Sequence, residues 1–326
     1  MPEKNTTINP FEKNNIRAKK SKKGFLKIMW KQRYLQIMVL LGILWMIIFN
    51  YIPMGGIIIA FKNYTITKPI LEAPWAANYG LQHFIDFFTD ENFRIVLTNT
   101  LGISLLKLFV SFPLPILFAL LLNELKHMRF KKAVQTISYL PHFISWVVLG
   151  GMMINWLDAS GLINELLLGI GLLKEPIYFL GEPRFFWGLA VGSDIWKELG
   201  WGAIIYLASI AGIDQEIYEA AKIDGANRFQ QMYDITIPSI KGTIAIMFIL
   251  AVSGILNSNF DQILVLWNPL NNSKSTVVDI FVYRMAMSSG RFSYATAVGL
   301  LKSVVALFLL VIANKTTKKI NDVGLY

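Results

Sequence analysis

Residues 214–240 form a polar stretch in which acidic and small side chains stand at helical spacing. Asp214 is a predicted N-cap, because its carboxylate can accept a hydrogen bond from the free backbone N–H groups of a first helical turn. Gly225 can adopt the left-handed conformation that ends a helix. Pro238 suits the first turn of the apolar segment that follows. The pattern predicts a short helix after Asp214, a break at Gly225, and a second short helix over residues 226–233.

The chemistry available in this stretch is docking rather than bond breaking. Ala220 and Ala221 are small enough to let the backbone of a partner come close. Glu219 offers a carboxylate that suits a bidentate arginine. Ordinary amphipathic loops between membrane helices carry similar residues, so these features alone leave both interpretations open.

A second polar group lies within a predicted membrane span, residues 242–267. It combines amides, a carboxylate and an aromatic ring: Asn257, Asn259, Phe260, Asp261 and Gln262. Polar groups inside a span are costly and normally face a cavity or a partner. Amides and a carboxylate beside an aromatic ring suit sugars, which offer hydroxyls and an apolar ring face. We therefore predict a substrate path here, with interhelical hydrogen bonds as the alternative.

Ionisable residues also occur in the fourth predicted span. Asp194 and Lys197 stand three residues apart and are predicted to pair on one face of a helix. Glu198 points elsewhere, towards Lys107 or Lys302 on other spans. Because opposite charges lie so close together, we interpret them as packing interactions that hold the bundle together.

Catalytic and cofactor motifs are absent from the sequence. It contains no phosphate-binding loop, no His-Glu-x-x-His zinc motif and no nucleophile elbow, and the three histidines are scattered. There is no cysteine, which excludes disulfides and thiolate chemistry. We predict no catalytic residue, no metal and no cofactor, so energy for any transport must come from another subunit or from an ion gradient.

The composition predicts an all-α polytopic membrane protein. Of the 326 residues, 54% are hydrophobic and 16% are charged, whereas soluble domains carry roughly a quarter charged residues. The net charge of +10 comes from basic residues in the N-terminal segment and in short loops, which indicates membrane topology rather than nucleic-acid binding.

Six apolar runs are long enough to be transmembrane helices. Their predicted bounds are residues 34–60, 95–122, 133–157, 185–210, 242–267 and 293–313. The predicted organisation is a basic segment, 1–33, whose last part lies along the membrane surface, a membrane domain, 34–314, and a tail, 315–326. The basic N-terminus, connection 123–132 and tail fall on one side, which the positive-inside rule assigns to the cytoplasm of a cell-membrane protein. Residues 214–240 then face the cytoplasm too.

Spacing over a longer range distinguishes between the two interpretations of residues 214–240. Glu219-Ala220-Ala221 is followed by Gly225 after three residues, by Ile235 after nine more, and by Ile237-Pro238. This pattern resembles the EAA loop of binding-protein-dependent ABC importer permeases, whose first short helix couples to a cleft of the ATPase subunit. The resemblance assigns ATPase coupling to the residues that match its motif: Glu219, Ala220, Ala221, Asp224, Gly225 and Pro238.

Other stretches resemble the polysaccharide and oligosaccharide branch of carbohydrate ABC permeases. They are residues 51–62, 112–115 with 123–124, 140–146, 195–201, 260–266 and 293–299, and the resemblance extends over nearly the whole chain after about Lys23. One departure is Gly242, where the family often has a proline, and we expect a looser entry into the fifth span there without loss of coupling.

The resemblance implies a type I importer permease fold that performs no bond chemistry of its own. The implied partners are a second permease subunit, usually in a heterodimer, two ATP-binding ATPase subunits, and an extracytoplasmic sugar-binding protein, with lipid around them and no nucleic acid. ATP binding and hydrolysis by the partners would drive alternating access for an oligosaccharide or polysaccharide fragment.

Three alternatives stay open at this point. An ABC permease for peptides or phosphonates would share the EAA loop. An ion-gradient transporter would show inverted repeats and a broken midplane helix, and we see no clear repeat. A scaffolding membrane protein would lack the polar cluster in the fifth span.

Overall fold

The structure is a computed structural model that describes residues 30–321. Most of the predicted surface segment at residues 1–33, and the end of the tail, lie outside the described residues. Helices dominate the described part, in which no strand occurs and an isolated antiparallel bridge joins Lys62 to Trp75. The prediction of an all-α protein is therefore confirmed.

Six long helical segments, labelled α1 to α6 in chain order, account for most of the structure. They are Arg33–Phe61, Phe93–Asn123, the bent pair Met128–Phe143 and Trp146–Trp156, Pro183–Ala211, Arg228–Ser253 and Phe292–Asn321. Shorter helices connect them: Gln82–Thr89, Leu162–Gly169, Gln215–Ile223, Phe260–Leu266, Asn272–Ser275 and Val278–Met287.

The prediction of six crossings agrees roughly with these segments. Among the described residues, four helices (α1, α2, α5 and α6) are long and apolar enough to cross a membrane, and the bent pair α3 adds a fifth. The 29 residues of α4 extend over about 43 Å at a rise of 1.5 Å per residue. Three ionisable side chains in its central part set it apart from the apolar helices: Asp194, Lys197 and Glu198.

The described part of the chain divides into two compact units, one up to residue 58 and one from residue 59 onward. In the first unit, the helix Arg33–Met46 buries none of its side chains. A helix that is apolar on every side belongs in lipid or against another helix. In the second unit, buried apolar residues form three clusters, and α4 contributes to two of them. The second unit therefore has α4 near its centre.

Three predicted spans have different bounds in the structure. The sixth continues to Asn321 instead of ending at 313, so the first residues of the predicted tail belong to α6. The third is not one helix, because the chain bends by 98° between Phe143 and Trp146; Pro141 lacks the N–H that a continuous helix needs. The fifth begins at Arg228 rather than 242 and ends at Ser253 rather than 267.

The start of α5 corrects the prediction of a second short helix at 226–233. Asn227 caps the helix, exchanging hydrogen bonds with Gln230 through a capping box. The chain then continues without interruption through a π-helical turn, Gln231–Thr236, into Ile237–Ser253. Pro238 is the second residue of that last segment, so it lies inside a continuous helix instead of opening a new one.

Wide π-helical turns precede a proline at three places in the chain. Ile47–Tyr51 comes before Pro53, Lys107–Ser111 before Pro113, and Gln231–Thr236 before Pro238. A proline ring clashes with the carbonyl one turn earlier and leaves it without its N–H partner. An extra residue in the preceding turn widens the helix at that point. This geometry explains how α1 continues past Pro53 without a break.

The connections of the second unit gather at two ends. Near the start of α6, Ser293 Oγ accepts a hydrogen bond from the Tyr64 backbone N–H (2.9 Å). At the other end, Arg228 Nη1 lies 3.9 Å from Glu124 Oε2. The 31 residues of α2 separate these ends by about 45 Å. Connection 62–92 therefore lies at one end, and connections 124–127 and 212–227 lie at the other.

Gly200 brings α4 against the backbone of α3. A Cβ atom at Gly200 would overlap the Ser138 carbonyl, whereas a Cβ atom at Gly192 on the same helix would meet nothing within 4 Å. We expect Gly200→Ala to lower the free energy of unfolding by about 1–3 kcal/mol through overpacking, and Gly192→Ala to keep it or raise it by up to about 1 kcal/mol, because alanine is the better helix former. Thermal unfolding of the two purified variants checks this, and equal midpoints would contradict the close approach.

Asp90, near the end of connection 62–92, is joined to α6 by a hydrogen bond from Tyr294 Oη (2.7 Å). Burial raises the pKa of Asp90, but hydrogen bonds from Tyr294 and Asn92 outweigh it, so the pKa lies below the ordinary value of 3.8. The ionised Asp90 therefore stabilises the fold above pH 3.8, and this contribution is lost as the pH falls through the lowered pKa.

We expect Tyr294→Phe to destabilise the fold by about 1.5–3 kcal/mol at neutral pH, the usual range for a hydrogen bond to a charged group. The difference from the unmodified protein should shrink as the pH falls below 4, which unfolding measured from pH 7 to pH 3 would detect. A difference that stayed constant with pH would show that the lost bond does not depend on the Asp90 charge.

Candidate functional site

The helix Gln215–Ile223, called here the EAA helix, has the caps that its sequence predicts. The Asp214 carboxylate accepts a hydrogen bond from the Glu216 backbone N–H (3.0 Å). At the other end, Gly225 has φ +83°, and the Ala226 N–H donates to the Ala221 carbonyl (2.9 Å). The left-handed residue lets the chain turn sharply towards α5.

A single side-chain hydrogen bond joins the EAA helix to α5, between Tyr218 Oη and Thr236 Oγ1 (2.8 Å). Thr236 is buried in the π-helical turn of α5. The EAA helix is thus attached at Tyr218 and at its two ends, while none of its residues is buried.

The exposed surface of the EAA helix has the properties of a docking site. Glu219, Ala220, Asp224 and Gly225 are exposed, and Ala221 is half-buried. Within the described part of the chain, Glu219 has no hydrogen-bond or ion-pair partner. Large apolar side chains are also exposed on the EAA helix and on the first turns of α5: Ile217, Ile223, Phe229 and Tyr233. Exposed apolar groups together with a free carboxylate are typical of a surface that another protein covers; Pro238 lies apart from it, in α5.

A cleft of 360 Å³, partly open to the outside and called here the inner cavity, lies between α2, α4, α5 and the residues that follow α5. Its walls are mostly apolar, with a few polar groups: Ser104, Lys107, Ser111, Asp194, Glu198 and Asn257. Trp201 of α4 also lines it. An apolar cavity with a few fixed polar groups is the usual form of a small-molecule site.

Of the predicted path residues, the structure brings only Asn257 to this cavity. Asn259 has φ +60° and precedes the helix Phe260–Leu266, and the Phe260 ring packs against Tyr283 (5.3 Å between centroids). Asp261 is exposed elsewhere.

Gln262 is fully buried in interhelical hydrogen bonds. Its Nε2 donates to the Ala190 carbonyl (2.6 Å) and to Ser193 Oγ (2.8 Å) on α4, and its Oε1 accepts from Lys107 Nζ (3.2 Å). Because each polar atom of Gln262 has a hydrogen-bond partner, its contacts favour the alternative interpretation, interhelical hydrogen bonds, over a role in a substrate path.

The predicted ion pairs of α4 are wrong. Lys107 of α2, rather than Lys197, pairs with Asp194 (2.8 Å), and the two side chains are only 16% and 14% exposed. Lys302 pairs with Asp279. A long side chain reaches whichever neighbouring helix packs against its side of its own helix. For this reason the distance in sequence did not identify these partners.

Glu198 and Lys197 hold the bend of α3. Glu198 Oε2 lies 2.7 Å from His142 Nδ1, and the His142 ring stacks on Trp201 at 4.3 Å. The buried Lys197 ammonium donates to the carbonyls of His142 and Pro141. A cation is favourable at carbonyls that a helix end leaves free.

His142 is a residue that the sequence analysis missed. We assigned it no chemistry because the histidines show no metal-ligand spacing. Its position directly after Pro141 was the available signal, because a proline break in a span leaves carbonyl groups that need donors from another helix.

Comparison with known proteins identifies the family. A family model described as "Binding-protein-dependent transport system inner membrane component" matches residues 111–321. The chain belongs to this family. The permease is also similar along its length to a Polygalacturonan/rhamnogalacturonan transport system permease protein, YteP of Bacillus subtilis, at 42% identity over 95% of this chain and 96% of the relative. Protein LplB of the same organism is 40% identical over 91% of this chain and 92% of its own.

A solved structure has the same fold. The permease matches a chain from the crystal structure of a bacterial alginate ABC transporter in complex with alginate pentasaccharide-bound periplasmic protein, with a TM-score of 0.83, 38% identity, and coverage of 92% of this chain and 99% of the other. The predicted ABC importer permease fold is thereby confirmed, and the chain is a multi-pass membrane protein of an ABC transporter.

Proposed function

We propose that this permease is a transmembrane subunit of an ATP-driven importer for an oligosaccharide or a polysaccharide fragment. The observation that carries the proposal is similarity over nearly the full chain to a permease named for polygalacturonan and rhamnogalacturonan transport and to a chain of an alginate ABC transporter. The inner cavity supports it, because the Asn257 amide and the partly exposed Trp201 ring in its wall suit sugar hydroxyls and ring faces.

We infer that ATP hydrolysis belongs to partner subunits. The exposed EAA helix, with its free Glu219 carboxylate and exposed apolar side chains, is the surface that an ATPase subunit would cover. The proposed complex has a second permease subunit, two ATPase subunits and an extracytoplasmic binding protein. Closure of the ATPase dimer on ATP would move the EAA helices and open the bundle outward to accept sugar. ATP hydrolysis would then return the bundle to its starting state.

We place the EAA helix, the N-terminus and the C-terminus on the cytoplasmic side. Connection 124–127 shares an end with the EAA helix and is followed by basic residues on α3: Arg129, Lys131 and Lys132. Basic residues beside short connections favour the cytoplasm. Connection 62–92, at the other end, is then extracytoplasmic.

For the substrate path, we propose that Asn257 contributes directly from the cavity wall. Asn259, Phe260 and Asp261 stay predictions for the same path, since they precede or begin the short helix next to it. Gln262 would act by holding Lys107 and α4 in place.

The decisive experiment is ATP hydrolysis by the complex reconstituted with its partner permease, ATPase and binding protein, against a panel of neutral oligosaccharides, uronic-acid oligosaccharides and peptides. We expect stimulation by one oligosaccharide class. Stimulation by peptides alone would refute the sugar assignment while keeping the ABC importer. Uptake driven by an ion gradient without any ATPase would refute the whole proposal.

A further inference from the structure

Three consecutive residues in the connection between α1 and α2 have positive φ angles. They are Asn78 (φ +53°), Tyr79 (φ +56°) and Gly80 (φ +88°). Glycine accepts this conformation readily, and asparagine tolerates it, but for tyrosine it is strained. Strain of this kind persists only where the surrounding structure imposes it, and it concentrates at functional sites.

Local hydrogen bonds impose the left-handed turn. The Gly80 N–H donates to the carbonyls of Ala76 (3.0 Å) and Ala77 (3.1 Å). Asn78 Nδ2 donates to Gln82 Oε1 (2.6 Å), and Gln82 Nε2 donates to Asp86 Oδ1 (2.6 Å). These bonds continue into the helix Gln82–Thr89, so the turn is fixed to a helix on one side.

Lys62 fixes the other side of the connection. Its side chain is buried, and its ammonium donates to the carbonyls of Ile70 (3.1 Å) and Leu71 (2.8 Å). The Ala76 N–H donates to the Phe61 carbonyl (3.0 Å). A buried lysine that binds two carbonyls closes the loop on itself, so residues 62–82 form a rigid platform.

The platform presents large apolar side chains to its surroundings. Tyr79 is fully exposed, and three others are mostly exposed: Ile66, Leu71 and Trp75. Exposed apolar side chains grouped on a rigid element mark an interaction surface. Tyrosine and tryptophan are the residues that most often supply the binding energy of such surfaces.

We propose that the platform, residues 62–82, is a docking surface for the extracytoplasmic binding protein, with Tyr79 as its anchor. The proposal rests on the proposed function, because it needs that partner and that orientation. The platform lies at the end opposite the EAA helix, and the family is binding-protein-dependent.

Lipid is the less suitable occupant of this surface. Lys68 and Glu72 are the exposed charged side chains of the platform and carry opposite signs, so it lacks the cluster of basic residues that attracts anionic headgroups. Aromatic rings of a membrane-interface belt also need no particular backbone conformation, whereas Tyr79 is held out by a strained turn.

The test uses the reconstituted complex and titrates binding protein loaded with the stimulating oligosaccharide. We expect Tyr79→Ala to raise the concentration for half-maximal ATPase stimulation about tenfold, the effect of losing one hot-spot aromatic side chain. Tyr79→Gly should raise it equally, although glycine relieves the backbone strain. Tyr79→Phe should keep most of the affinity because it keeps the ring.

The outcomes separate this inference from the proposed function. If binding protein stimulates the unmodified complex and both Tyr79→Ala and Tyr79→Gly respond at the same concentration as it does, the docking surface is wrong. If Tyr79→Ala instead prevents assembly with the second permease, or only weakens association with lipid vesicles, the platform has another occupant and the inference is overturned. If binding protein never stimulates the unmodified complex, the proposed function itself fails.

Discussion

Gly225→Val should lower ATP-driven uptake about five- to thirty-fold while the chain still folds and inserts. Gly225 ends the EAA helix at φ +83°, and a Cβ atom there would meet nothing within 4 Å. Valine therefore causes no clash in the isolated chain, but the left-handed conformation costs it about 1–2 kcal/mol. Relief of that strain moves the end of the EAA helix away from its docking position, and 1–2 kcal/mol corresponds to the stated range.

Gly171→Val is the matched control for this experiment. Gly171 also has a positive φ angle (+75°) and no atom within 4 Å of an added Cβ, but it lies in the connection before α4. The control should suffer the same backbone strain and keep its uptake, as measured with labelled oligosaccharide in vesicles. Equal losses in the two variants would show that strain alone, rather than the position of the EAA helix, explains the effect.

Lys107→Met is expected to lower the stability of the permease by about 3–5 kcal/mol, because it leaves the Asp194 carboxylate buried without its partner. The pair lies 2.8 Å apart with both side chains mostly buried, and Lys107 also satisfies Gln262 Oε1. Methionine has nearly the shape of lysine, so the change removes the charge without opening a large cavity. Thermal inactivation of the detergent-purified permease measures the loss.

The double variant Lys107→Met with Asp194→Leu should recover most of that stability, since replacing both members of a buried pair with apolar groups is often neutral. Recovery would assign the loss to the stranded charge. If the single variant were as stable as the unmodified protein, water in the inner cavity would be solvating Asp194, and the pair would be free to serve the substrate instead.

Local signals in the sequence were sufficient for the EAA helix. Its cap at Asp214 and its end at Gly225 depend on residues within a few positions of one another. The apolar runs likewise identified the regions of all six long segments, because hydrophobic length is a property of the sequence alone.

Local signals could not predict contacts between residues that lie far apart in the sequence. Lys107 and Asp194 are 87 positions apart, and which of several cations meets a carboxylate depends on how the helices are rotated and packed. The start of α5 was missed for a related reason: polar residues 228–236 extend the helix beyond the apolar run, and only the capping box at Asn227 indicates it.

The wide turn at Gln231–Thr236 also sets the rotational phase of α5. An α-helix advances by about 100° per residue, so one additional residue rotates everything before it by about that angle relative to everything after it. Removing one residue there would carry Thr236 and the Tyr218 contact of the EAA helix to another face of α5. The orientation of the EAA helix around α5 is therefore set by how many residues the turn contains, independently of which side chains occupy it.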